Sequence, residues 1–163
     1  MKHHRVVVTR HGGPDVLQVV EEDLPEPRAG EVRVKVLAAG VSAYDLMFRR
    51  SGSLPGTPRV PFTLGEDVVG VVDKLGEGVS TVEAGQTVAG ATFCLGVGGR
   101  YSEVICLPAS ELVAVPQGVG SAEAVCLVGE YPSARMALVR TRRVANGGGH
   151  RGQAVRGGCS GPP

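Results

Sequence analysis

Short bursts of β-branched residues, cut at regular intervals by glycine and proline, constrain this chain more than any other feature. Seven runs stand out, Arg5 to Thr9, Val16 to Glu22, Glu31 to Ala38, Val68 to Leu75, Thr87 to Ala91, Tyr101 to Leu107 and Leu112 to Val115. Valine dominates them, and branching at Cβ favours the extended backbone. Between them lie Gly12-Gly13-Pro14-Asp15, Pro25-Glu26-Pro27, Gly76-Glu77-Gly78 and the glycines from Gly96 to Gly99, all turn-forming sequences. Strands this short at this spacing predict an antiparallel barrel or sandwich. The chain has 163 residues, of which 42% are hydrophobic but only 4% aromatic, with no Trp. It can therefore bury one sizeable core, and that core must be aliphatic.

Three stretches predict helix. Ser42 with Asp45 three residues later has the spacing of a capping box, opening a short helix that runs through Arg50 and stops at Gly52. Ser121 is placed to cap a second, with Glu123 in its first turn beside the positive end of the helix dipole. Pro132 suits the first turn of a third, which reaches Val144 with Arg140, Arg142 and Arg143 at its negative end. From Ala145 onward, seven glycines, two prolines and two arginines share 19 residues, a composition expected to stay disordered because it cannot bury enough apolar surface.

Charge and cysteine usage remove several function classes. Up to Glu130 the chain carries 11 Lys and Arg against 16 Asp and Glu, whereas the remainder holds 6 Arg and no acid. An acidic body is not the footprint of a nucleic-acid-binding domain. Two Arg-Gly steps in the tail, with no aromatic residue beside them, are a weak signal for RNA. Cys94, Cys106, Cys126 and Cys159 form no close pair, so neither a structural zinc nor a disulfide framework is expected. No segment approaches a membrane span or a signal-peptide core, which gives a cytoplasmic chain with free thiols as the expectation.

Read in order, the motifs resemble the medium-chain dehydrogenase/reductase superfamily, in its zinc-independent quinone oxidoreductase (VAT-1-like) branch. The likeness runs from Gly12-Gly13-Pro14-Asp15-Val16-Leu17 through Gly30-Glu31-Val32-Arg33-Val34-Lys35-Val36 and is strongest at Ala38-Ala39-Gly40-Val41-Ser42-Ala43-Tyr44-Asp45. It continues through Pro61-Phe62-Thr63-Leu64-Gly65-Glu66-Asp67-Val68-Val69-Gly70, Gly98-Gly99-Arg100-Tyr101-Ser102-Glu103 and Tyr131-Pro132-Ser133-Ala134. The resemblance implies a mainly β fold with short helices, a GroES-like, partly open β-barrel of the kind found at the N-terminus of alcohol dehydrogenases. Residues 1–130 would form that catalytic domain, 131–144 a linking helix, and 145–163 a Gly/Arg-rich tail.

The resemblance also implies a chemistry, the transfer of a hydride from NADPH to a quinone or enone carbonyl. It nominates Ser42 and Asp45 as catalytic residues, and Tyr44, Tyr131 and Ser133 as cofactor-binding residues. Each has a plainer role beside it: Ser42 and Asp45 cap a helix, Tyr44 and Tyr101 pack, and Tyr131 and Ser133 start a helix. Zinc is not expected, because Ser42 stands where zinc-dependent relatives carry Cys, and Glu66-Asp67 where they carry His-Glu; neutral serine is a poor ligand for zinc. Glu66 and Asp67 are adjacent, so on one strand they would face opposite ways and could not act as a paired acid and base.

Only 19 residues follow Val144, fewer than the roughly 30 that a strand, glycine turn and helix for a dinucleotide require. Gly152-Gln153-Ala154-Val155 begins such a unit, and Arg156-Gly157-Gly158 does not continue it. The expectation is a missing Rossmann half, by truncation or by a frameshift near Asn146, and a chain inactive on its own. The competing expectation is a stand-alone GroES-like binding or assembly module. An uncovered apolar face, and association or homodimerisation through it, follow from either.

Overall fold

The computed structural model describes residues 1–53, 55–91 and 99–129. Every predicted strand forms, in the predicted order. Strands β1 (Lys2–Val8) and β2 (Leu17–Asp23) make an antiparallel ribbon, in register from Lys2 opposite Asp23 to Val8 opposite Leu17. The main sheet contains β3 (Glu31–Ala39), β4 (Asp67–Leu75), β5 (Thr87–Ala91), β6 (Val104–Pro108) and β7 (Leu112–Ala114). Its spatial order is β6-β3-β4-β5-β7, and all of its pairings are antiparallel.

Residues 101–103 join ribbon to sheet. The Val6 amide donates to the Tyr101 carbonyl at 2.8 Å, the Glu103 amide to the His4 carbonyl at 2.9 Å, and the Val36 amide to the Glu103 carbonyl at 2.9 Å. Sequence alone extends β6 back to Tyr101; in the structure the strand starts at Val104, and residues 101–103 serve as this stitch. The two sheets do not close on each other, which gives the partly open barrel.

The burial pattern explains why these residues are strands. In β3, Val32 and Val34 are fully buried while Arg33 and Lys35 alternate outward, the period of a half-covered strand. Central β4 is covered on both faces. Val68 and Val72 point into a cluster with Val32, Val34, Val88, Leu107 and Leu112, whereas Val69 packs on the other side against Ala89, Ala124 and Val125. Each buried valine contributes about 1.5–3 kcal/mol of transfer free energy, so an aliphatic core suffices without Trp. Gly70 is required where β3 and β4 cross closely, because a Cβ there would overlap the Lys35 carbonyl oxygen.

Helix α1 (Ala43–Arg50) lies between β3 and β4 in sequence, and residues 121–129 form α2. The predicted boundaries move slightly. Ser51, not Gly52, is the C-cap of α1. Ser121 lies inside α2, whose first turn starts from Gly120; the Ala124 amide donates to the Gly120 carbonyl at 2.9 Å, and Glu123 reaches back to the Gly120 amide at 3.3 Å. The linking helix at 131–144 and the tail at 145–163 lie outside the described residues. Cys106 and Cys126 are free thiols, and among the described residues no helix is long and apolar enough to cross a membrane.

Candidate functional site

Helix α1 buries charge beside its core residue Phe48 and leaves other apolar side chains outside. Asp45 and Arg49, two of its charged residues, are 3% and 4% exposed, while Tyr44, Leu46 and Met47 are 48%, 44% and 45% exposed and Val41, just before the helix, is 74% exposed. Burying charge is costly unless each charge is fully hydrogen-bonded, so the partners of these two residues explain the arrangement.

Asp45 is the hub. Its Oδ2 accepts from the Ser42 amide at 2.7 Å, the Ser42 hydroxyl at 3.1 Å and the Tyr101 hydroxyl at 3.0 Å. Its Oδ1 accepts from the Gly65 amide at 2.9 Å. The Asp45 amide in turn donates to Ser42 Oγ at 3.3 Å, which completes the capping box read from the sequence. One carboxylate thus ties the start of α1 to the loop before β4 and to the stitch at residues 101–103. Arg49 plays a parallel part at the other end, where its guanidinium donates to the Gly12 carbonyl and the Gly12 amide returns a bond to the Arg49 carbonyl at 2.9 Å.

Around the hub stand Glu66, Asp67, Arg100 and Tyr101. Glu66 precedes β4 instead of lying in it, so strand alternation does not govern its direction. It is half-buried, and its carboxyl is held above the usual range by burial foremost, then by the Asp45 and Asp67 carboxylates; a hydrogen bond from Ser42 and the charge of Arg100 oppose the rise. The carboxylate of Asp67 fits against the bare backbones of Gly40 and Gly129, where a Cβ would lie within 2.9 Å of it. Arg100 is 2% exposed, with Glu111 at 3.7 Å. Burial lowers its pKa, while the charges of Glu111, Asp67 and Glu66 oppose that change. Burial and the Asp45 carboxylate push the Tyr101 phenol far above its normal range, so it remains a donor at every physiological pH.

Gly65 makes this packing possible. Its φ of +98° lies in the left-handed region, and a Cβ would sit 2.7 Å from the Tyr101 ring. Below it Asp45, Phe48, Pro58, Phe62 and Glu66 line a cavity of about 10 Å³, room for roughly one water and for no organic substrate. Ligand chemistry at this cluster must therefore take place on the open side, along Val41, Ser42 and Tyr44.

The structure joins Ser42 to Asp45 and leaves Tyr44 half-exposed beside Phe48, whereas Tyr131 and Ser133 lie outside the described residues. Sequence reasoning gave Glu66 no role and did not single out Arg100. A signal was present in both: an acid directly after a glycine, and an arginine between that glycine's ring neighbour and another glycine. Their meaning appears only when β4, α1 and residues 99–103 meet.

Residues 28–117 match the family described as the alcohol dehydrogenase GroES-like domain. The human synaptic vesicle membrane protein VAT-1 homolog-like is 29% identical over 166 residues, 97% of this chain and 38% of the relative. Quinone oxidoreductase 1 of Escherichia coli K12 is 35% identical over 120 residues, 74% of this chain and 35% of the relative. The crystal structure of Escherichia coli quinone oxidoreductase complexed with NADPH superposes with a TM-score of 0.76 at 30% identity, covering 85% of this chain and 41% of that one. The chain thus spans less than half the length of the relatives it matches.

Proposed function

The chain belongs to the alcohol dehydrogenase GroES-like domain family, on the quinone oxidoreductase side of the medium-chain dehydrogenase/reductase superfamily, and from this premise we propose that it forms the substrate-side wall of a quinone- or enone-reducing site. The observation that carries the reading is the exposed apolar strip of Val41, Tyr44 and Met47, with the partly buried Ser42 at the start of the same helix. A flat, apolar ring with a carbonyl oxygen matches that surface: the ring lies on the strip and the oxygen meets the one hydroxyl.

In this reading the reductant is NADPH, which supplies a hydride when bound. The described residues do not fit its pyrophosphate. Their sheets are wholly antiparallel, and among them no strand runs through a glycine turn into a helix as a dinucleotide grip requires. Their part is confined to the carbonyl side. Ser42 turns its hydroxyl proton from Asp45 Oδ2 to the substrate oxygen, which accepts it, while the Asp45 amide still holds Ser42 Oγ; Asp45 acts through Ser42 as a positioning residue; Tyr44 flanks the ring. Tyr131 and Ser133 keep their proposed place toward the cofactor. Residues 1–130 are the domain that carries this wall.

The proposal includes independence of zinc, supported by donor chemistry: Ser42 Oγ is a neutral hydroxyl oxygen that already accepts from the Asp45 amide. A cytoplasmic location, small-molecule partners without nucleic acid or membrane, and association with a second body through the α1 face complete it. The test is amide NMR of the chain titrated with duroquinone. Perturbations concentrated at residues 41–47 and 65–66 support the reading, and perturbations elsewhere or none at saturation reject it.

A further inference from the structure

We infer that Tyr101 is a positioning residue of this wall: its phenol holds the Asp45 carboxylate in place of Ser42, which releases the Ser42 hydroxyl to the oxygen of a bound quinone or enone. The inference rests on the substrate-side reading above and adds to it the group that makes the hydroxyl available.

Counting donors at Asp45 leads to this role. Each oxygen of an ionised carboxylate offers two lone-pair sites. Oδ1 accepts from the Gly65 amide, whereas three donors meet at Oδ2: the Ser42 amide at 2.7 Å, the Tyr101 hydroxyl at 3.0 Å and the Ser42 hydroxyl at 3.1 Å. The Ser42 hydroxyl makes the longest of the three bonds, and it is the donor that Oδ2 can spare.

It is also the donor that can move. The amides of Ser42 and Gly65 are fixed by the backbone. The Tyr101 hydroxyl is fixed by its ring, which lies against the bare Gly65 backbone and packs on the cluster that contains Phe48, Phe62 and Leu64. A serine hydroxyl, by contrast, rotates about a single bond. While it turns, Ser42 Oγ keeps the bond from the Asp45 amide at 3.3 Å, so the oxygen stays where it is and its proton changes acceptor. No covalent bond breaks.

Burial divides the roles among the three side chains. Asp45 is 3% exposed and can act only through its donors. Ser42 is partly buried between exposed Val41 and exposed Ala43, so it is the member of the hub with surface toward a ligand on the open side. Tyr101 keeps its proton, because burial and the Asp45 carboxylate hold the phenol far above its normal range. Glu66, the other acceptor beside Ser42, is also partly buried, and water can serve it when the hydroxyl turns away. Without the Tyr101 hydroxyl, Oδ2 would have two donors for two sites. Turning Ser42 would then leave a buried carboxylate oxygen short of a partner, and the hydroxyl would stay where it is.

The experiment titrates the full chain with duroquinone, reading affinity from the amides of residues 41–47 and the hub from the ¹³Cζ signal of labelled Tyr101, assigned through Y101F. In the parent chain that signal should move downfield as the quinone binds, because the phenol takes over the share of Oδ2 that Ser42 gives up. A signal that stays put or moves upfield at saturation overturns the inference, and this readout decides the matter where a variant is too unstable or too weak to titrate. Y101F should bind duroquinone about threefold to tenfold more weakly, the worth of one hydrogen bond. In an S42A background the same change should alter affinity by less than about twofold. A merely structural effect of the phenol would persist without Ser42, so equal losses in both backgrounds overturn the inference, as does Y101F binding as tightly as the parent. If residues 41–47 respond while the Tyr101 signal does not, the wall survives and the positioning role falls. If those amides are silent in the parent, both fail.

Discussion

Replacing Asp45 by Asn changes one atom type in the hub and should cost much of the domain's stability. The side chain keeps its shape but gains an amide group that can only donate. If its oxygen faces Ser42 and Tyr101, its NH2 confronts the Gly65 amide; if it is turned over, the NH2 confronts the Ser42 amide. Either way one inward-facing backbone N–H loses its acceptor, at a cost of about 1–3 kcal/mol. The remaining bonds change from charge-assisted to neutral, which together removes about another 1 kcal/mol. Asp45→Asn should therefore destabilise the fold by about 3 kcal/mol. In urea, with a slope of about 2 kcal/mol/M, the unfolding midpoint should drop by about 1.5 M with the slope unchanged. Tyr101→Phe alone should cost about 1–2 kcal/mol, and less in the Asn background, because both changes act on one network. A midpoint for Asp45→Asn within about 0.5 M of the parent protein, or strict additivity with Tyr101→Phe, would refute the hub.

Three further outcomes follow from the same structure. Gly65→Ala forces a side chain into left-handed backbone and against the Tyr101 ring, and calorimetry should show a loss of about 2–4 kcal/mol. Asp73 sits between Lys35 at 2.9 Å and Arg33 at 2.7 Å, and hydrogen bonds from these two hold its carboxyl below the usual range. Its stabilisation is therefore present above the ordinary aspartate value near pH 4 and lost as pH falls below it; the gap between the parent and Asp73→Asn in urea should close by about pH 2. The exposed strip on α1 should drive association, so Val41→Ser with Met47→Ser should lower the light-scattering mass at high concentration while leaving the unfolding free energy within about 0.5 kcal/mol.

The strands were legible because their signal is local. Alternation in β3 and the paired valines of β4 are visible in any ten-residue window, and the turn glycines bound each run. The capping box was legible for the same reason, since Ser42 and Asp45 are three residues apart. The rest of the hub was not. Tyr101 reaches Asp45 across 56 positions and Gly65 reaches it across 20, so neither contact leaves a trace in local pattern. Glu66 and Asp67 were weighed only as neighbours on one strand; β4 begins at Asp67, and Glu66 precedes it, where strand alternation does not apply. The start of β6 was misplaced because Tyr101 and Ser102 look like strand residues, although their hydrogen bonds serve the ribbon and the loop at Leu64.

The charges buried in α1 have a practical consequence for anyone redesigning this domain. Protein engineers improve solubility by exchanging greasy surface residues for ionic ones, and routinely treat acidic or basic positions in a helix as free to vary. Here that habit would spare Tyr44, Leu46 and Met47 as presumed interior and sacrifice Asp45 and Arg49, two side chains that, with Phe48, moor the helix to the rest of the molecule.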